Sequence, residues 1–219
     1  MTLTALAGSL LDWLSRPPAG PDWAADLTGL SGMEPLPWWA AASYEGRARH
    51  QLLRLRDHPD QRALEPWLKP LIALLEASRQ GLPQPLLVPI PSWKRQSNPL
   101  PALITNALSQ RLGWAKRPEL LRRSRPVLGQ HHLGRELRLA NQEGAFLASP
   151  TPQQRLGPRQ AVLLVDDILT TGATACAAAE AMGAAGWRVA GLACLARTPA
   201  GRHRGRDLRS ASRRGDGPG

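Results

Sequence analysis

Cysteine is scarce in this 219-residue chain, which has only Cys176 and Cys194. Cys176 falls in a small-residue stretch that reads as helix and Cys194 in an apparent buried strand, so both are expected to be reduced, unreactive thiols. A zinc site made from them with His131 and His132 lacks any CxxC or HxxxH-like spacing, and no metal-ligating set is expected from the protein itself. Long hydrophobic runs are missing too: nothing approaches the roughly 20 apolar residues that cross a bilayer. The opening "MTLTALAGSLLDWL" carries no basic leader and is broken by Asp12, so neither a membrane span nor a secretory signal is expected, and the cytoplasm is the expected compartment. There is no internal repeat. No Gly-Lys pair occurs, which excludes a GxxxxGK[ST] phosphate loop.

Positive charge, by contrast, is plentiful. Lysine and arginine number 28 against 17 acids, for a net charge of +11. From Arg197 onward seven arginines face only Asp207 and Asp216, so nearly half of the excess lies at this end of the chain, which closes on "GRHRGRDLRSASRRGDGPG". Such a tail cannot bury enough apolar surface to offset its ordering entropy, and disorder is predicted for it. The charge attracts anions without saying which, since a phosphorylated substrate and a nucleic acid both want arginines.

The pattern along the chain divides it into three parts. Residues 1–43 are rich in Trp and Pro, with Trp13, Trp23, Trp38 and Trp39, and predict an irregular lobe that packs its indoles on the main domain. Residues 44–197 form that domain, and 198–219 the basic tail. Within the domain, "EGRARHQLLRLRDH" and "LEPWLKPLIALLEAS" have helical periodicity, the second interrupted by Pro66 and Pro70. "PLLVPIP" reads as a buried strand and "PALITNALSQRLG" as a helix with Leu103, Ile104, Ala107, Leu108 and Leu112 on one face and Gly113 as its stop. "LRRSRPVLGQHHLGRELRLANQEGAF" has no sustained period and is too long for an idle connector. A strand at 161–165, a helix from Ala173 to about Ala185 and a last strand in "WRVAGLACLAR" complete a βαβ unit, so the expected class is α/β, a mainly parallel sheet flanked by helices.

The segment "VLLVDDILTTGAT", residues 162–174, is where chemistry is expected. Asp166 and Asp167 stand where the strand "AVLLV" ends, and in open α/β sheets ligands bind beyond the carboxyl ends of strands. "LTTGAT" then enters a helix whose unpaired N-terminal amides attract an anion; Gly172 lets the backbone approach, and Thr170, Thr171 and Thr174 add hydroxyls. Carboxylates beside a phosphate cradle would repel the phosphate unless held off it, and they suit hydrogen bonds from vicinal hydroxyls. A sugar phosphate meets both demands. A strand-to-helix turn with a capping Asp and Thr accounts for one acid and one threonine only, and a haloacid dehalogenase-like site would space its acids apart.

"VLLVDDILTTGAT" resembles the phosphoribosyl-pyrophosphate (PRPP) motif of type I phosphoribosyltransferases. "VPIPSWKRQSNPLPALI" and the arginine-rich stretch, with Gln130, Leu133, Arg138, Asn141 and Ala145-Phe146, are similar to the corresponding segments of the ComF (competence protein F, GntX-like) branch. The likeness runs from Tyr44 to Arg197. It departs from that branch in having Gln96-Ser97 for a usual Gly-Phe, Arg56 where a Lys is common, and no N-terminal cysteine module of the zinc-binding kind. The resemblance implies a type I phosphoribosyltransferase-like fold with a mobile hood loop. It implies ribose hydroxyls at Asp166 and Asp167, the 5′-phosphate at Thr170, Thr171, Gly172, Ala173 and Thr174, and pyrophosphate facing Lys94 and Arg95. The hood would span residues 122–138, with Arg122, Arg123, Gln130, Arg138 and nearby Asn141 toward substrate, and Mg²⁺ would be bound mainly through PRPP. The implied activity is transfer of the phosphoribosyl group to an unidentified acceptor. The alternative it carries is a non-catalytic competence factor serving DNA uptake, with single-stranded DNA or competence proteins as partners.

Overall fold

The computed structural model describes residues 22–79, 83–92, 98–124, 144–150 and 160–199. Eight strands and four α-helices are defined there: β1 (Leu30–Gly32), β2 (Trp38–Ser43), α1 (Gly46–Asp57), α2 (Gln61–Arg79), β3 (Leu86–Pro89), α3 (Leu100–Leu112), β4 (Leu121–Arg123), β5 (Phe146–Ala148), β6 (Ala161–Val165), β7 (Ile168–Leu169), α4 (Ala173–Ala184) and β8 (Arg188–Arg197). The main sheet runs β1-β2-β8-β6-β3, with β7 also paired to β8, and only the short β1 is antiparallel to its neighbour. This is the expected α/β class. Strands that bury both faces should be continuous apolar runs; "AVLLV" of β6 is buried at every position.

Alternation along the strands separates two cores. Leu163 and Val165 of β6 face one way with Leu87, Ala193 and Leu195, and there they meet Leu52 and Leu55 of α1, Leu64, Trp67, Leu68, Leu71 and Leu75 of α2, and Leu100, Ile104 and Leu108 of α3. Val162 and Leu164 face the other way with Val88, Leu192 and Cys194, against Ala175, Ala178 and Met182 of α4 and Phe146 of β5. Alanines on the buried face of α4 let its backbone lie close to the sheet. At its C-terminal end Trp187 N–H reaches Met182 O at 3.0 Å, where the chain turns at Gly186 into β8.

Three expectations need correction. Residues 30–43, read as irregular, contain β1 and β2, and β2 pairs with β8 through Trp38↔Leu192 to Ser43↔Arg197. "WWAAAS" hides its strand because alanines carry little β-propensity and no alternation; Ala40, Ala41 and Ala42 are nonetheless fully buried. The sheet therefore crosses the expected boundary at 43/44. Second, α2 is one 19-residue helix running through Pro66 and Pro70. Each proline costs about 3 kcal/mol in a helix interior. Burial of Leu64, Trp67, Leu68, Leu71 and Leu75 on one stripe offsets this, at about 1.5–3 kcal/mol per large side chain. Third, the aperiodic arginine-rich stretch begins and ends in strands: β4 and β5 pair antiparallel as a two-stranded ribbon, Leu121↔Ala148 to Arg123↔Phe146. Trp23 packs on Trp67 with ring centroids 5.5 Å apart, as expected for the N-terminal indoles. Trp13 and residues 200–219 of the tail lie outside the described residues.

Candidate active site at the carboxyl ends of β3 and β6

Strand β3 ends at Pro89 beside Val165, while β8 continues to Arg197. The chain of β6 follows β8 past that point: Asp166 N–H donates to Ala193 O at 3.0 Å, and Asp167 O accepts from Leu195 and Ala196 at 3.0 and 3.2 Å. Among the described residues, Asp166 and Asp167 thus bond along a strand line to β8 on one side, with β3 ending on the other. That edge, at the carboxyl end of β6, is the candidate site.

The two acids are in different situations. Asp167 is 3% exposed, and its Oδ2 accepts hydrogen bonds from Arg56 Nε at 2.5 Å and Asn98 Nδ2 at 2.7 Å. Arg56 comes from the last turn of α1. Asn98 precedes α3 and also accepts the Leu100 N–H, at 3.2 Å, on its Oδ1. Asp166 is half-buried, and its Oδ1 accepts the backbone N–H of Asp167 at 2.9 Å. Burial, with the neighbouring Asp167 charge as the second cause, holds the Asp166 carboxyl well above the ordinary carboxylate range. A cation or hydroxyl donors arriving at this carboxyl would relieve that penalty.

Arg123 of β4 approaches from the ribbon. Its Nε donates to Pro91 O at 3.0 Å and its guanidinium lies 4.2 Å from the centroid of the Phe146 ring. Burial draws its pKa down to about 10, and the charge of Asp166 opposes that shift. Arg122, one residue earlier, is exposed, because alternation along β4 turns it outward. Of the expected hood residues, the structure brings Arg123 within the electrostatic reach of Asp166 and leaves Arg122 at the surface. Lys94, Arg95, Gln130, Arg138 and Asn141 lie outside the described residues.

The loop after β7 has the form that anion binding requires. Gly172 sits at φ +85° as the residue before α4, and Cys176 N–H bonds back to its carbonyl at 2.8 Å. The amides of Thr170, Thr171 and Gly172 donate no hydrogen bond to another described residue, which leaves consecutive donors at a helix N-terminus. Thr171 Oγ1 accepts the Ala173 N–H at 3.4 Å. Thr170 is exposed, Thr174 is half-buried, and Ala173 is buried under the turn. A Cβ at Gly172 would lie 2.2 Å from Pro35 Cγ in the β1–β2 turn. Gly172→Ala is therefore expected to strain the backbone by about 1–2 kcal/mol and to push the Pro35 turn off the loop. Thermal unfolding should show the loss as a fall of about 2–4 °C per kcal/mol.

Residues 140–211 match the phosphoribosyl transferase domain. The matched segment is about a third of the chain and holds β5, β6, the two acids, the threonine loop, α4 and β8. Arg56, Asn98 and the Pro35 turn, which complete the surroundings of the acids and the threonine loop, come from outside the matched segment. No curated protein sequence matches the chain. Among solved structures, an adenine phosphoribosyltransferase is similar with a TM-score of 0.45 at 14% identity, over 81% of this chain and 91% of that one. The Saccharomyces cerevisiae adenine phosphoribosyltransferase, in complex with an imino-altritol bisphosphate and adenine, gives 0.42 at 15% identity over 80% and 88%. That of Leishmania donovani gives 0.36 at 15% identity over 78% and 75%.

Sequence reasoning did not assign Asn98 or Arg197 to the site, and it noted Arg56 only as a departure from a usual Lys. Asn98 had a signal, an amide directly before a helix-opening Pro-Leu-Pro. Arg197 had none, because it reads as the first arginine of the tail. Both cysteines fit the expectation of inert thiols: Cys194 is buried with Sγ 3.4 Å from Ala196 O, and burial raises the thiol pKa of each. Among the described residues no group of three or more His, Cys, Asp or Glu could hold a metal, and no helix is long and apolar enough to cross a membrane.

Proposed function

We propose that this protein is a phosphoribosyltransferase of the ComF type that binds PRPP with Mg²⁺ and transfers the phosphoribosyl group to an acceptor. The observation that carries the reading is the placement of one continuous motif. Its acids lie on the edge at the carboxyl end of β6, and its threonines and left-handed glycine form the entrance of α4. The ribose hydroxyls would donate to the acids, chiefly to Asp166, whose carboxyl is the more exposed of the two. The 5′-phosphate would take the amides and hydroxyls of residues 170–174. Lys94 and Arg95, between β3 and α3 in the chain, are assigned to the pyrophosphate.

This division suits the chemistry. Loss of pyrophosphate from the anomeric carbon builds positive charge on the ribose and negative charge on the leaving group, so carboxylates belong near the sugar and cations near the pyrophosphate. Arg123, held by Pro91 O and Phe146 and within the electrostatic reach of Asp166, is a further cation for the phosphates. The arginine-rich segment 122–138 is assigned the exclusion of water, which would otherwise hydrolyse the activated sugar.

The donor set fits Mg²⁺ held mostly by ligand and water, since this ion takes few protein oxygens beside substrate phosphates. Asp166, a carboxyl whose charged form is disfavoured, is the kind of group a nearby cation stabilises. When bound, the ion would neutralise the departing pyrophosphate.

The test is release of pyrophosphate from PRPP and Mg²⁺ in the presence of a panel of nucleobases and amines. Release that depends on one acceptor class supports the reading and names the acceptor. No release with any of them, together with salt-dependent binding of single-stranded DNA, would replace it with the competence-factor role.

A further inference from the structure

The carbonyls under the threonine loop are held from below. Arg197, the last residue of β8, donates from Nη1 to Leu169 O at 3.1 Å and to Thr170 O. A peptide group is planar with its C=O and N–H opposed. Fixing the Leu169 and Thr170 carbonyls on Arg197 therefore aims the Thr170 and Thr171 N–H groups away from it, toward the side a phosphate would occupy. The Arg197 guanidinium lies 5.6 Å from the centroid of the Trp38 ring, and Trp38 Nε1 donates to Glu34 O at 3.0 Å. That bond ties down the turn whose next residue, Pro35, rests on Gly172. The turn is anchored again where Leu192 N–H meets Pro37 O at 2.9 Å. One continuous set of contacts thus runs from the β1–β2 turn through Trp38 and Arg197 to the loop.

We propose that Arg197 and the Pro35 turn form a clamp that holds residues 170–172 in their anion-binding form, which makes Arg197 a positioning residue for a ligand's terminal phosphate monoester. The clamp spares the loop the conformational-entropy cost of ordering its backbone on binding. Both bonds leave from one nitrogen, Nη1, whose direction is set by the planar guanidinium lying over the Trp38 ring, a seating that the flexible, non-planar ammonium of lysine cannot reproduce. The inference rests on the phosphate being bound at this loop, as in the proposed function.

The experiment compares native full-length protein with Arg197→Ala, Arg197→Lys and Pro35→Gly, titrating each with ribose 5-phosphate and, separately, with magnesium pyrophosphate. Backbone ¹⁵N order parameters are measured on the same unliganded proteins. Both Arg197 variants should lose about tenfold or more in ribose 5-phosphate affinity while pyrophosphate affinity stays unchanged. The order parameters of residues 170–172 should drop from about 0.85 to below about 0.6. Pro35→Gly should move both readouts in the same direction by less. Near-native ribose 5-phosphate affinity in Arg197→Lys would overturn the clamp in favour of a direct charge role, and equal loss for both ligands would mean general destabilisation. If the native protein binds neither ligand, the functional reading fails, and the order parameters still decide: a loop that stays rigid in Arg197→Ala contradicts the clamp.

Discussion

Asp166→Asn is expected to lower PRPP affinity by about 100-fold, roughly 2.7 kcal/mol, while making the protein more stable at neutral pH. The affinity loss follows from losing a carboxyl that the hydroxyls and cation of bound PRPP would draw into its charged form, since hydrogen bonds to charged groups contribute about 1.5–3 kcal/mol. The gain in stability follows from the direction of the carboxyl's shift. Burial and then the Asp167 charge raise its folded pKa above the unfolded value, which is about 3.9. Between those two pKa values the native state keeps a proton that the unfolded state has lost, so stability falls as pH rises through that window. The slope from one such group is at most about 1.4 kcal/mol per pH unit. Asparagine does not titrate, so the difference in melting temperature between variant and native protein should be small near pH 4 and grow toward neutrality. Calorimetric titration and unfolding scans across pH read the two effects separately. A site kept at the expense of stability is what a binding carboxylate looks like.

Asp167→Ala is expected to destabilise the fold by about 3 kcal/mol, the lower end of the cost of breaking a buried ion pair, because Arg56 is partly exposed. The melting temperature should fall by about 6–12 °C. The carboxylate joins Arg56 of α1 to Asn98 ahead of α3, on a residue whose backbone carbonyl is itself held by the β8 amides of Leu195 and Ala196. Removing it leaves the Asn98 and Arg56 donors without their acceptor at the base of the site. Asp167→Asn keeps an acceptor oxygen and should cost roughly half as much. Equal stability of native protein and Asp167→Ala in denaturant titrations would show that the pair contributes nothing to holding α1 and α3 on the sheet. The adjacent acids read alike in sequence, and their expected effects on stability have opposite signs.

How much of this was legible depended on how local each cause is. β6, the threonine loop, α4 and β8 were readable because an apolar run, a glycine with positive φ and a small-residue helix follow one another within one segment. β2 was missed because its buried face is alanine, and its place in the sheet comes from pairing with β8, which lies far along the chain. Pro66 and Pro70 suggested a break, and the buried stripe of α2 outweighs it; propensity lost to packing. The partners of Asp167 could not be read at all, since Arg56 and Asn98 stand 111 and 69 residues away from it. Nothing local marks Arg197 as belonging to the site, although pairing with Ser43 and Leu169 makes it the end of a strand.

The central claim is that the edge formed by Asp166, Asp167 and residues 170–174 binds PRPP. Calorimetric titration of the full-length protein with PRPP, with and without Mg²⁺, tests it most directly when run beside Asp166→Asn. Saturable heat that strengthens with Mg²⁺ and is lost in the variant is the expected result. No heat from the native protein, or affinity unchanged in Asp166→Asn, would contradict it.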